Sequence, residues 1–176
     1  MVNKRLRAGV FLVAAAVAGA AGFYFNRASL TSQVLDGAAE KLMLTPLSDL
    51  GGKTLTLSQW RGKVLVVNFW ATWCAPCRAE IPALMRVQKK YAPRNVKLVG
   101  IGIDNIAKIR DYATEMNIDY VLLVGGMETL AVSKNLGNRA EVLPFTVVVD
   151  RTGTVAYAHA GALTEAALDS VLAPLL

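Results

Sequence analysis

Val64-Leu65-Val66-Val67-Asn68-Phe69-Trp70-Ala71-Thr72-Trp73-Cys74-Ala75-Pro76-Cys77 decides the fold and the chemistry together. Apart from Asn68, residues 64–70 are an apolar, β-branched-rich run, the pattern of a strand buried on both faces of a sheet. After Cys74 the period changes, and Ile81, Leu84, Met85 and Gln88 recur at helical spacing. Two thiols thus stand where a strand hands over to a helix. A helix start presents unpaired N–H groups and a partial positive charge, and both favour thiolate over thiol. Cys74 is the expected attacking nucleophile, exposed at the turn and helped by Arg78. Cys77 is the expected resolving thiol. Pro82 falls inside the helix, where it removes a ladder hydrogen bond and is expected to cause a kink.

Cys74 and Cys77 are the only cysteines among 176 residues. Disulfide scaffolds use several cysteines at wide spacing, and a bridge closing two intervening residues constrains little of the unfolded chain. A structural zinc site usually needs four ligands, whereas this chain offers two thiols and the lone His159. The pair therefore points to redox exchange, with no metal and no cofactor expected.

Upstream, residues 47–60 read as a hairpin with Gly51-Gly52 at its turn. Downstream, residues 96–103 read as a second buried strand and residues 106–116 as an amphipathic helix. A short strand over 120–124 and a short helix over 128–136 follow. Residues 145–149 form a third apolar strand, and 154–160 its hairpin partner across the Asp150-Arg151-Thr152-Gly153 turn. A helix over 164–173 closes the chain. This order gives an α/β sandwich with a mixed central sheet flanked by helices.

Residues 8–25 carry no charge and follow Lys4, Arg5 and Arg7. The run is longer than the usual apolar core of a secretory leader and approaches the length of a bilayer span. Phe23, Tyr24 and Phe25 form an interfacial aromatic end. Residues 1–27 are therefore expected to be an uncleaved signal anchor, a single transmembrane helix. Cleavage near Ala18-Gly19-Ala20, with secretion, is the alternative. Basic residues before the span keep the N-terminus in the cytoplasm and send the domain out. Residues 28–45 are expected to be a tether and 46–176 the folded domain.

The net charge of +6 is largely topogenic. Four of the 19 basic residues lie in positions 1–27, which hold no acids, leaving 15 basic and 13 acidic groups in 28–176. That balance excludes a nucleic-acid footprint.

The stretch from Asn68 to Pro82, with its Trp73-Cys74-Ala75-Pro76-Cys77 core, resembles the active-site segment of thioredoxin-fold proteins. It is most similar to the membrane-tethered TlpA/ResA-like thiol:disulfide oxidoreductases, and the resemblance covers about residues 45–176. It includes the N-terminal hairpin and the inserted β-α segment around 104–136. Leu143-Pro144-Phe145-Thr146 resembles the family's cis-proline loop, which faces the disulfide. The resemblance implies that Trp73, Leu143 and Pro144 bind substrate, Pro144 leaving Leu143's backbone open to strand-like pairing with a client. Thioredoxins carry a buried aspartate six residues before the first cysteine, where this chain has Asn68. The TlpA/ResA-like branch has a thiol-tuning glutamate three residues after the second cysteine, and Glu80 stands there. One turn from Cys77, Glu80 disfavours a thiolate as a carboxylate yet accepts its proton during exchange.

The resemblance implies a protein-disulfide reductase at the bacterial inner membrane, facing the periplasm. Its partners would be protein disulfides, such as the haem-binding cysteines of apocytochrome c or copper-site proteins. A membrane thiol reductant would donate electrons, because the periplasm is kept oxidising. A monomer is expected. A disulfide-forming oxidase is disfavoured because Ala75-Pro76 lacks the histidine of strongly oxidising relatives. A thiol peroxidase would need threonine where Ala71 stands. A copper chaperone would show one more residue between its cysteines.

Overall fold

The computed structural model describes residues 35–176 together with Val17 and Phe23. The span expected over residues 8–25 lies outside the described residues except for those two. Among the described residues no helix is long and apolar enough to cross a membrane.

The first described element corrects an expectation. Residues 35–44, assigned above to a tether, form a helix, α1. Ala38, Ala39, Leu42 and Met43 are buried against the sheet. Their spacing puts them on one helical face, so burial of that face holds the helix on the domain. The folded unit therefore begins at Leu35 rather than at residue 46.

Strands β1 (Leu47–Asp49) and β2 (Thr54–Leu55) pair as the expected hairpin, and a single 3-10 turn follows over Leu57–Trp60. Next come β3 (Val64–Trp70), α2 (Ala75–Tyr91), β4 (Val96–Ile103), α3 (Ile106–Glu115) and β5 (Val121–Gly125). Then come α4 (Met127–Lys134), β6 (Phe145–Val149), β7 (Val155–Ala160) and α5 (Glu165–Leu172), with a 3-10 turn over Ala173–Leu175 last. One seven-stranded sheet has the order β2-β1-β5-β4-β3-β6-β7. Its centre, β3, β4 and β5, is parallel, and β1, β2, β6 and β7 join antiparallel. This is the thioredoxin-like α/β fold with the mixed sheet expected from the sequence.

All seven residues of β3 are buried, as its apolar run requires. Their side chains alternate between two cores. Val64, Val66 and Trp70 pack with residues of α2, α3 and α5, whereas Leu65, Val67 and Phe69 pack with α1 and α4. Asn68 belongs by alternation to the α2 side, so a polar group is built into an apolar face. Helix α2 continues unbroken through Pro82 and turns Ile81, Leu84 and Val87 into the same core.

Candidate active site

The C-terminal end of β3 delivers Trp73 and Cys74 to the start of α2. Cys74 is the N-cap, Pro76 occupies the first turn, and the Cys77 N–H donates to Cys74 Sγ at 3.3 Å. Proline is suited to this place, where its missing N–H costs no helical hydrogen bond. Cys74 and Cys77 form a disulfide, with Cα atoms 5.3 Å apart.

Cys74 was expected to be exposed at the turn, but only 6% of its surface is accessible. As N-cap its sulfur folds back over the helix start and packs into the α2-side core. Cys77 is completely buried. Trp73, the residue before Cys74, is by contrast 67% exposed.

Glu80 is buried at 3% exposure in the interior. Its Oε1 accepts from Asn68 Nδ2 at 2.7 Å, and its Oε2 accepts from the Leu163 N–H at 2.9 Å. Burial is the larger influence and raises its pKa above the ordinary carboxylate value. The two donated hydrogen bonds oppose that rise without cancelling it. Glu80 can therefore hold a proton at a pH where an exposed glutamate has lost it.

Asn68 also donates to Thr146 Oγ1 at 3.0 Å, directly across the β3–β6 ladder. One asparagine amide thus ties a strand neighbour to the carboxyl of α2. Asparagine cannot take up a proton, so of Asn68, Thr146 and Glu80 only Glu80 can titrate.

The Leu143–Pro144 peptide bond is cis. The Pro144 carbonyl accepts from the Gly161 N–H at 2.8 Å, and Leu143 lies just before β6. Leu143 lines the same surface groove as Trp73, so the loop resembling the cis-proline loop is at the active site.

Comparison with known proteins agrees with this geometry. The Redoxin family matches residues 31–172. The chain belongs to the Redoxin family. This redoxin is 29% identical over 132 residues to "Thioredoxin-like protein YneN" of Bacillus subtilis, covering 72% of this chain and 73% of that protein. It is 25% identical over 166 residues to "Thiol-disulfide oxidoreductase ResA" of Halalkalibacterium halodurans, covering 93% and 92%. Among solved structures, a thiol:disulfide interchange protein of Chlorobium tepidum matches with a TM-score of 0.66 at 28% identity. That alignment covers 74% of this chain and 92% of that one. With its Cys74–Cys77 pair, this redoxin is a thiol-disulfide oxidoreductase of the TlpA/ResA-like kind.

Three residues of the redoxin site escaped sequence reasoning. Thr72 donates its hydroxyl to Asp104 Oδ2, tying the loop before Cys74 to the end of β4. Burial opposes ionisation of Asp104, yet the Thr72 hydroxyl and the Asn105 N–H hold its carboxyl below the ordinary value. Gly100, the β4 partner of Asn68, lies under Leu122, Tyr120 and Trp70, which leave no room for a Cβ. A glycine inside a buried strand pattern signals such close approach. The Thr72–Asp104 pair has no comparable local signal, since the partners are 32 residues apart.

Proposed function

We propose that this protein is an exported, membrane-tethered disulfide reductase acting on protein disulfides of the bacterial periplasm. The observation that carries the direction is the buried carboxyl of Glu80, one helical turn beyond Cys77. A buried carboxyl there gives a thiolate no stabilising charge while protonated and repels it once ionised, and so weighs against the reduced thiolate form. Destabilising the reduced form lowers the reduction potential and makes the dithiol an electron donor.

The exchange runs in two displacements. The Cys74 thiolate attacks one sulfur of the client disulfide, forming a mixed disulfide and expelling the client's other sulfur as thiolate. Glu80 then takes the Cys77 proton, and Cys77 attacks Cys74 Sγ, forming the Cys74–Cys77 bond. The client's second sulfur leaves and both client thiolates gain protons. The client is reduced by two electrons and the redoxin is oxidised by two. A thiol reductant in the membrane must return those electrons, because the compartment is kept oxidising.

The membrane reading rests on residues 8–25 and their basic flank, and the monomer on the sequence expectation. By the family resemblance of the active-site stretch, clients would be haem-binding cysteines of apocytochromes or copper-site thiols.

The test is an equilibrium titration of the Cys74–Cys77 pair against a dithiol buffer. A potential near about −270 mV supports electron delivery, whereas one near about −120 mV overturns it in favour of disulfide formation. Cys74→Ala must abolish reduction of a disulfide substrate.

A further inference from the structure

The end of the sheet away from the disulfide collects positive charge from three separate stretches of chain. Arg61 and Lys63 lead into β3. Val64 pairs with Val96, and the Val64 N–H donates to Asn95 O at 3.1 Å, which brings Arg94 and Lys97 to the same end. Strand β6 runs antiparallel to β3 with Val149 opposite Leu65, so the turn holding Arg151 returns there too. Arg61, Lys63 and Arg151 line one hollow with Met43 and Leu65. Arg61, Lys63, Arg94 and Arg151 are exposed.

Little on this surface neutralises that charge. Glu40 pairs with Arg61 at 2.5 Å. The acid in the hollow, Asp150, is committed to its own turn, where its Oδ1 accepts from the Thr152 N–H at 2.8 Å and the Thr154 N–H at 3.0 Å. Asp119, exposed ahead of β5, borders the surface. Among the described residues Lys63, Arg94, Lys97 and Arg151 make no ion pair. Burial and then the charge of nearby Lys63 hold Lys97 below the ordinary lysine value, so like charges here act on each other. Residues 28–176 hold 15 basic and 13 acidic groups, so the domain's small positive excess is gathered at this one end. A concentrated field of one sign attracts a partner of the other.

The sequence supplies the partner's chemistry. Only nine residues, 26–34, separate the apolar run of 8–25 from Leu35, a reach of at most about 32 Å when fully extended. A bilayer holding that run brings a broad anionic headgroup layer within this reach. Lysines and arginines near such a layer each add attraction without needing a shaped pocket. The seven residues of β3 put about 20 Å between this end and the loop that carries Cys74.

We propose that the basic end formed by Arg61, Lys63, Arg94, Lys97 and Arg151 docks on anionic phospholipid and so turns the disulfide away from the bilayer, toward water-soluble clients. The proposal rests on the membrane-tethered reading of residues 8–25. The test uses the full chain in nanodiscs of phosphatidylcholine, with or without phosphatidylglycerol, and reads amide hydrogen exchange over 61–63 and 150–153. The expected result is exchange about tenfold slower in the anionic discs, lost at high salt. Lys63→Glu with Arg151→Glu abolishes the slowing, Lys63→Arg with Arg151→Lys keeps it, and Arg139→Glu, exposed in the loop before β6, leaves it unchanged. Equal exchange in the two lipids, with the chain retained in the discs, overturns the docking. Equal slowing by inorganic phosphate in neutral discs also overturns it, in favour of a free-anion site. A chain that stays with neither disc at high salt overturns the tethered reading beneath it.

Discussion

Asn68 donates its side-chain amide to Glu80 Oε1 at 2.7 Å, joining the centre of β3 to the helix that carries both cysteines. The carboxyl proposed to serve the thiols is thereby fixed by the strand that leads to them. Since its second oxygen accepts from the Leu163 N–H, neither oxygen is left without a donor.

Glu80→Gln removes the proton acceptor while keeping the shape. Release of the mixed disulfide should slow by about a hundredfold at neutral pH, the lower end of the range for a lost acid-base group. Rapid-quench measurement of mixed-disulfide decay checks this. Stability gives a second readout. Burial raises the folded pKa above the unfolded value of 4.5. Above 4.5 and up to the folded value, the native state keeps a proton that the unfolded chain has lost, so wild-type stability falls as pH rises through that window. Denaturant melts against pH should show this slope in the wild type and not in the variant.

Asn68→Asp places a second carboxyl against Glu80. Two like charges at hydrogen-bond distance cannot both ionise, so one proton is retained to high pH. The variant should lose about 2–4 kcal/mol of stability at pH 8. At acid pH it should recover much of the loss, because a protonated carboxyl donates where the amide did. Urea unfolding at the two pH values decides the point.

Thr72→Val unties the active-site loop from Asp104. A hydrogen bond to a charged acceptor is worth about 1.5–3 kcal/mol, and urea unfolding should show a loss of that order. The Asp104 carboxyl is held below its ordinary value of 3.8, so its contribution is present above 3.8 and lost as pH falls through the folded value. The acid limb of stability should therefore be shallower in Thr72→Val.

Gly100→Ala and Gly102→Ala separate two kinds of crowding on one strand. A Cβ on Gly100 would lie 2.8 Å from Leu122 Cδ2, 3.0 Å from Tyr120 Cε2 and 3.2 Å from Trp70 Nε1. On Gly102 it would meet only Ile109, its terminal Cδ1 at 2.5 Å. Rings of Tyr120 and Trp70 cannot yield as a terminal methyl can. Gly100→Ala should cost about 1–3 kcal/mol by thermal melting, and Gly102→Ala less.

The central strands were legible because strands buried on both faces need largely apolar runs, and 64–70, 96–103 and 145–149 supply them. The cysteine pair was legible because its spacing and the change of period coincide. Helix α1 was missed although Ala38, Ala39, Leu42 and Met43 share a face, since small alanines resemble a linker until the sheet they cover is known. The surroundings of Glu80 were illegible for another reason. Its partners Asn68 and Leu163 lie 12 and 83 residues away, and only folding brings their donors to it. The same holds for Cys74, whose burial depends on the core beneath the helix start.

The Leu163 hydrogen bond has a practical consequence for spectroscopy. Leu163 immediately precedes Thr164, the N-cap of α5, and its amide proton points at the carboxyl that titrates. The backbone resonance of Leu163 is therefore a built-in indicator of Glu80 protonation, readable in an ordinary amide spectrum without labelling the carboxyl. Its shift against pH, followed in the oxidised and the reduced protein, would report how strongly electron transfer at Cys77 is coupled to the proton on Glu80.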